Sequence, residues 1–141
     1  MRYLYLDSSV VLRYLYRRPG FLDLRGREEY AVAGHLTEIE CLRTLDRNRL
    51  ADPAGTAIEK RQHTLAALLQ FVERIELTPA VLNRASRPMA VPLGTLDAIH
   101  LATALGWQES HETEMSFATH DRALARAARM YGFAVIGADP D

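Results

Sequence analysis

The chain has 141 residues, 48% hydrophobic and 25% charged, which suits one globular core and excludes a disordered or fibrous chain. Its net charge of −1 excludes a uniformly basic nucleic-acid binder, so any polyanion would have to meet a local patch. A lone cysteine, Cys41, excludes an internal disulfide and a zinc cage of cysteines, and no uncharged run approaches the ~20 residues that span a bilayer. One domain over residues 1–141 is therefore expected, without membrane attachment. Arg2 is followed closely by Asp7, without the long apolar stretch of a secretory leader, so the expected location is the cytoplasm. Lys60 is the only lysine among 17 Lys and Arg residues, and arginine is the better fork for phosphate.

The first stretch organises the rest. Tyr3 to Leu6 is a short apolar run that suits a buried strand, and Asp7, Ser8 and Ser9 interrupt it before apolar periodicity resumes. Ser9 to Arg17 reads as a helix stopped by Pro19 and Gly20. Phe21 to Glu29 is a short helix or a loop, and Tyr30 to Ala33 is a brief strand. The spacing then predicts a helix from Thr37 to Arg49 with Ile39, Leu42, Leu45 and Leu50 on its apolar face. A turn over residues 51–55 precedes a long helix, Thr56 to Glu73, whose stripe is Ile58, Leu65, Leu68, Leu69 and Val72. Arg74 to Thr78 is a strand candidate, and Pro79 to Arg87 is a short helix opening on proline. Thr95 to Leu105 is an almost wholly apolar helix with Gly106 as its stop. Glu114 to Thr119 returns to strand character, Asp121 to Tyr131 makes a helix ending at Gly132, and Phe133 to Ile136 is a last strand. Strands alternating with helices predict an α/β fold of three layers, with a short parallel central sheet covered by helices on both sides.

Four acids stand at four helix starts. Each has a structural explanation: Asp7 and Asp121 can cap the following helix, Thr37 and Glu40 have the spacing of a capping box, and Asp97 sits in a first turn favoured by the helix dipole. Asp7, Glu40 and Asp121 also follow predicted strands, and helices that follow parallel strands all start on one edge of the sheet, where ligands gather. Two carboxylates about 4 Å apart repel by roughly 4 kcal/mol at an effective dielectric near 20, so such a cluster needs cations or raised pKa values. Oxygen donors without thiols favour Mg²⁺, with Mn²⁺ as the alternative, and such an ion can activate water for phosphodiester hydrolysis.

The stretches Tyr5 to Val10, Leu36 to Glu40, Leu96 to Ala102 and Ala118 to Asp121 resemble the successive acidic motifs of PIN-domain nucleases, particularly the VapC-type toxins. The resemblance implies a PIN-like fold and a metal-dependent endoribonuclease, commonly a homodimer and silenced by a cognate antitoxin. It implies that Asp7, Glu40, Asp97 and Asp121 hold Mg²⁺ and orient the attacking water on an RNA substrate. Ser8, Ser9 and Thr119 would support that set or touch phosphate. Glu38 lies close to Glu40, and Glu40 is preferred because Ile39 and Leu42 mark its register. Arg43, one turn after Glu40, is expected near the pocket as a phosphate contact or ion-pair partner for an acid.

His100 shares a helix face with Asp97, and a zinc or general-base role is imaginable, but an isolated histidine in an apolar helix is expected to be packed and hydrogen-bonded. Cys41 is read as a core residue. Two other readings compete with the nuclease. One is a Mg²⁺-dependent phosphohydrolase of small phosphate esters, weakened because Ser9 stands where a second aspartate would support a phosphoaspartyl mechanism. The other is a non-catalytic binding module on the same fold.

Overall fold

A computed structural model describes residues 1–140. In chain order the elements are β1 (Tyr3–Leu6), α1 (Ser8–Leu15), β2 (Tyr30–Gly34), α2 (His35–Asn48), α3 (Thr56–Leu69), β3 (Val72–Ile75), α4 (Pro79–Ala85), α5 (Thr95–His111), β4 (Met115–Ala118), α6 (Arg122–Met130) and β5 (Ala134–Ile136). The five strands form one sheet in the order β3-β2-β1-β4-β5, and every pairing is parallel. β1 is central because it is buried on both faces, which its near-continuous apolar sequence allows. Leu4 and Leu6 pack on one side with α1, α2 and α3, whereas Tyr5 packs on the other with Leu101 and Leu105 of α5 and Leu124 of α6. The alternation of successive side chains along the strand thus divides the core into two halves. The outcome is the expected three-layer α/β arrangement.

The chain leaves β1 toward β2 and β3, then returns across the sheet to place β4 and β5 on the other side of β1. The reversal of winding opens a crevice beyond the carboxyl end of β1, the usual ligand position in such sheets. Asp7 starts there, its N–H continuing the ladder to the Ala118 carbonyl at 3.0 Å.

Several boundaries differ from the sequence reading, each for a packing reason. α3 ends at Leu69, and Val72, assigned to its apolar stripe, instead opens β3 opposite Ala31, so that strand begins before Arg74 and ends at Ile75. α5 runs through Gly106 to His111. A methyl group at Gly106 would lie 3.9 Å from Val81, so the small residue lies under α4 while the buried Trp107 carries the helix face onward. α2 starts at His35 with Gly34 at its N-cap, which places Thr37 inside the first turn and removes the capping box. Its buried residues are Leu36, Thr37, Cys41 and Leu45, while Ile39, Leu42 and Leu50 are exposed. Thr37 can occupy the core because its hydroxyl donates to the Leu6 carbonyl at 2.9 Å. Residues 21–29 form turns and irregular chain without a helix.

Candidate active site

The crevice at the end of β1 holds a buried aspartate whose oxygens are already claimed. Asp7 occupies the N-cap position of α1, yet its carboxylate makes no capping hydrogen bond. Its Oδ2 accepts from the Ser9 and Thr119 hydroxyls, each at 2.7 Å, and its Oδ1 accepts from Ser8 at 3.4 Å. Ser9 Oγ in turn accepts from the His120 N–H at 2.9 Å, and Thr119 Oγ1 accepts from the Asp121 N–H at 3.0 Å. Ser8, Ser9 and Thr119 therefore tie the end of β1 to the turn after β4 and fix the rotamer of Asp7. The carboxylate is only 4% exposed to water, so these hydroxyls supply hydrogen bonds that solvent would otherwise provide.

The other three acids approach from α2, α5 and α6. Glu40 lies on the second turn of α2, Asp97 in the first turn of α5, and Asp121 at the N-cap of α6. Asp121 does cap its helix, Oδ1 accepting from the Leu124 N–H at 2.9 Å. The carboxyl of Asp97 is pushed up to about 6, first by burial and then by the negative charges of Asp121 and Asp7, with Glu40 adding to them and His100 opposing. Asp97 thus feels the charges of the other three acids, but among the described residues the group close enough to share one ion is Asp7, Glu40 and His100, without Asp97 or Asp121. A carboxyl perturbed by burial and by like charges is a signature of a functional site.

A fifth residue stands among them. His100, one turn along α5 from Asp97 and 1% exposed, brings Nε2 to 2.5 Å from Glu40 Oε1 and 3.4 Å from Asp7 Oδ1. Its Nδ1 meets the buried Tyr5 hydroxyl at 2.8 Å. Ligating atoms of Asp7, Glu40 and His100 lie within 4.8 Å of one another. His100 is packed and hydrogen-bonded, as an isolated histidine in an apolar helix should be, but its partners are the site acids. The sequence signal was its spacing of three residues from Asp97.

Two neighbours of Glu40 go elsewhere. Glu38 pairs with Arg74 at 2.9 Å, outside the crevice. Arg43, expected beside the pocket, is instead exposed and makes its ion pair with Asp46 at 3.1 Å, one turn further along α2. Ile39 and Leu42 do not mark the buried face. What brings Glu40 inward is its position beside Cys41, which is fully buried and whose thiol is pushed up mainly by that burial.

Beside the acids, Ser9, Leu12, Arg13, Tyr16, Arg18, Thr44, Asn48 and His120 line a cleft of about 240 Å³. Arg61 and Arg18 lie over the Tyr16 ring at 4.0 and 5.2 Å from its centroid, and Asn48 donates to the Tyr16 oxygen at 2.7 Å. Among the described residues neither Arg13 nor Arg18 is paired with a carboxylate.

Comparison with known proteins agrees with this layout. The PIN domain family model matches residues 4–130. Ribonuclease VapC46 of Mycobacterium tuberculosis is 32% identical over 140 residues, covering 96% of this chain and 98% of the relative. The solved structure of VapBC2 from Rickettsia felis, bound to a promoter DNA fragment, superposes with a TM-score of 0.66 at 12% identity over 96% of this chain and 98% of that one. A toxin-antitoxin complex from Klebsiella pneumoniae superposes with a TM-score of 0.61 at 16% identity over 97% and 98% of the two chains. These likenesses, together with a sheet whose central strand ends in the acid crevice, make the chain a member of the PIN domain family, of the VapC type.

Proposed function

We propose that the chain is a metal-dependent endoribonuclease, the toxin of a VapBC-type pair. The observation that carries this reading is that Asp97 feels the negative charges of Asp121, Asp7 and Glu40, which together with burial push its carboxyl up to about 6. The donor set fits a hard divalent cation: it is made of carboxylate oxygens, and the chain's one thiol, Cys41, is buried in the core. Asp7, Glu40, Asp97 and Asp121 would hold Mg²⁺, or Mn²⁺ in its place. When bound, such an ion supplies Lewis-acid activation of water and stabilisation of the leaving oxygen.

The chain's own residues do the rest. Ser9 and Thr119 hold the Asp7 carboxylate in one orientation, so little rotamer freedom is lost when it binds. The four acids orient the attacking water toward the phosphodiester. RNA as substrate is supported by the name of the VapC46 relative and by the cleft beside the acids, where Arg13 and Arg18 offer unpaired forks to flanking phosphates. A small phosphate ester would have less use for two further arginines in a cleft beside the acids. Ser9, bonded to Asp7 where a phosphoaspartyl enzyme would carry its second aspartate, also speaks against that alternative. The toxin-antitoxin complex among the structural neighbours supports an antitoxin partner; a homodimeric toxin is part of the same proposal.

The test is direct. Purified chain with Mg²⁺ should cut a structured RNA, EDTA should stop it, and Asp7→Asn or Asp97→Asn should abolish cutting while leaving the circular dichroism spectrum unchanged. Cleavage that survives both substitutions, or that needs no metal, overturns the reading.

A further inference from the structure

The role of His100 is not settled by its nearness to the acids. An imidazole nitrogen beside two carboxylates can be a third metal ligand, or it can donate a hydrogen bond to one of them, and the two roles require opposite placements of the ring hydrogen. The surroundings of Tyr5 decide between them. Tyr5 is fully buried, so the hydrogen of its phenol must find an acceptor within the protein. Among the described residues the one hydrogen-bond partner of the phenol is His100 Nδ1, at 2.8 Å, which therefore accepts. A ring that accepts at Nδ1 carries its hydrogen at Nε2, and Nε2 faces Glu40 Oε1 at 2.5 Å.

We propose that His100 is a positioning residue and not a metal ligand: a relay from the Tyr5 hydroxyl through the His100 ring donates to Glu40 Oε1 and presents the other oxygen of Glu40 to the cation. The inference rests on the metal-dependent reading above and adds the residues that aim one of its ligands. The arrangement has a mechanical logic. Glu40 reaches the crevice from a helix on one side of the sheet, on a side chain with three rotatable bonds, whereas His100 comes from α5 on the other side. Tyr5 belongs to the central strand between them, and its ring is stacked on Phe117 at 4.9 Å between centroids. The relay therefore refers a carboxylate on a rotatable side chain to the central strand of the sheet. Gly34 leaves room for the phenol, since a methyl group there would lie 3.2 Å from the Tyr5 oxygen.

The test uses Mn²⁺ alone as the probe, on the full chain and without RNA. Pulsed electron paramagnetic resonance of the Mn²⁺-loaded wild type should show no imidazole nitrogen coupled to the ion. Titration of Mn²⁺, followed through the signal of the free ion, should show His100→Ala binding about 10–100-fold more weakly, the usual loss when a group that orients a ligand is removed. His100→Gln, whose amide can donate from near the Nε2 position, should recover most of that loss. Tyr5→Phe keeps the ring volume and should show a smaller loss of the same kind, so the inference stays testable if the alanine variant does not fold. A nitrogen coupling on the bound Mn²⁺, a glutamine variant as weak as alanine, or unchanged binding in Tyr5→Phe overturns it. None of these readouts involves RNA. Absence of cleavage alongside the expected Mn²⁺ results would retire the ribonuclease and leave the relay, while cleavage with a nitrogen-coupled ion would do the reverse.

Discussion

Removing the carboxylate of Asp97 should make the metal-free protein more stable, although it destroys the site. The side chain is half-buried, and its carboxyl is raised from 3.8 to about 6 by burial and by Asp121, Asp7 and Glu40. That displacement corresponds to about 3 kcal/mol at face value. Because the group is partly open to water, screening reduces the figure to about 1.5 kcal/mol. Since the folded-state value is raised, the favourable contribution is complete below pH ~4, where the group is protonated whether folded or not, and is lost as pH rises through about 6. In EDTA at pH 7.5, Asp97→Asn should therefore melt about 5 °C above wild type, using the entropy of unfolding expected for a chain of this size. At pH 4 the two melting curves should coincide. Mg²⁺ should raise the wild type and leave the variant nearly unmoved, because a ligand stabilises only the state that binds it. Thermal unfolding by circular dichroism, across pH 4–8 with and without Mg²⁺, measures all of this. An asparagine variant no more stable than wild type at pH 7.5 in EDTA, or equally more stable at pH 4, refutes the account of the crevice as a cluster of competing charges.

Three further outcomes follow from the same geometry. Glu40→Gln should abolish Mg²⁺-dependent cleavage of RNA, whereas Glu38→Gln should leave it intact and cost less than about 1 kcal/mol in chemical denaturation, because its pair with Arg74 is solvent-exposed. Thr119→Val, which leaves Asp7 Oδ2 with Ser9 alone and strips the Asp121 N–H of its acceptor, should destabilise the fold by about 1–3 kcal/mol, with Thr119→Ser restoring it. For single-stranded RNA bound to the Asp7→Asn variant, replacing Arg13 or Arg18 by Ala should lower the slope of log affinity against log salt by about 0.7 each if each neutralises one phosphate, and fluorescence anisotropy across a salt series reads it.

The order of elements is legible in the sequence because it follows from hydrophobic periodicity and turn chemistry, which act locally. Tyr3 to Leu6 could only be a buried strand, and the proximity of Asp7, Glu40 and Asp121 follows from a parallel sheet whose helices all begin on one edge. What failed required knowledge of the neighbours. Ile39 and Leu42 look like a core face by hydropathy, yet the face that packs is Thr37, Cys41 and Leu45, because a polar residue is welcome inside once the Leu6 carbonyl takes its hydrogen. Gly106 looks like a stop, but α4 lies over it and the helix continues. Arg43 stands one turn from Glu40, but Asp46 on its own helix captures it at the surface. His100 was readable as a packed histidine, while its partners, Tyr5 95 positions earlier and Glu40 60 positions earlier, were not.

The central position of β1 has a temporal consequence. Asp7 emerges first during synthesis, but the hydroxyl that braces it belongs to Thr119, 112 positions later, and the Thr119 N–H is itself anchored on the Ile136 carbonyl of the outermost strand. Neither half of the polypeptide can assemble the crevice alone. The crevice therefore closes only once β4 and β5 have joined the sheet, long after the segment that carries Asp7 has been made.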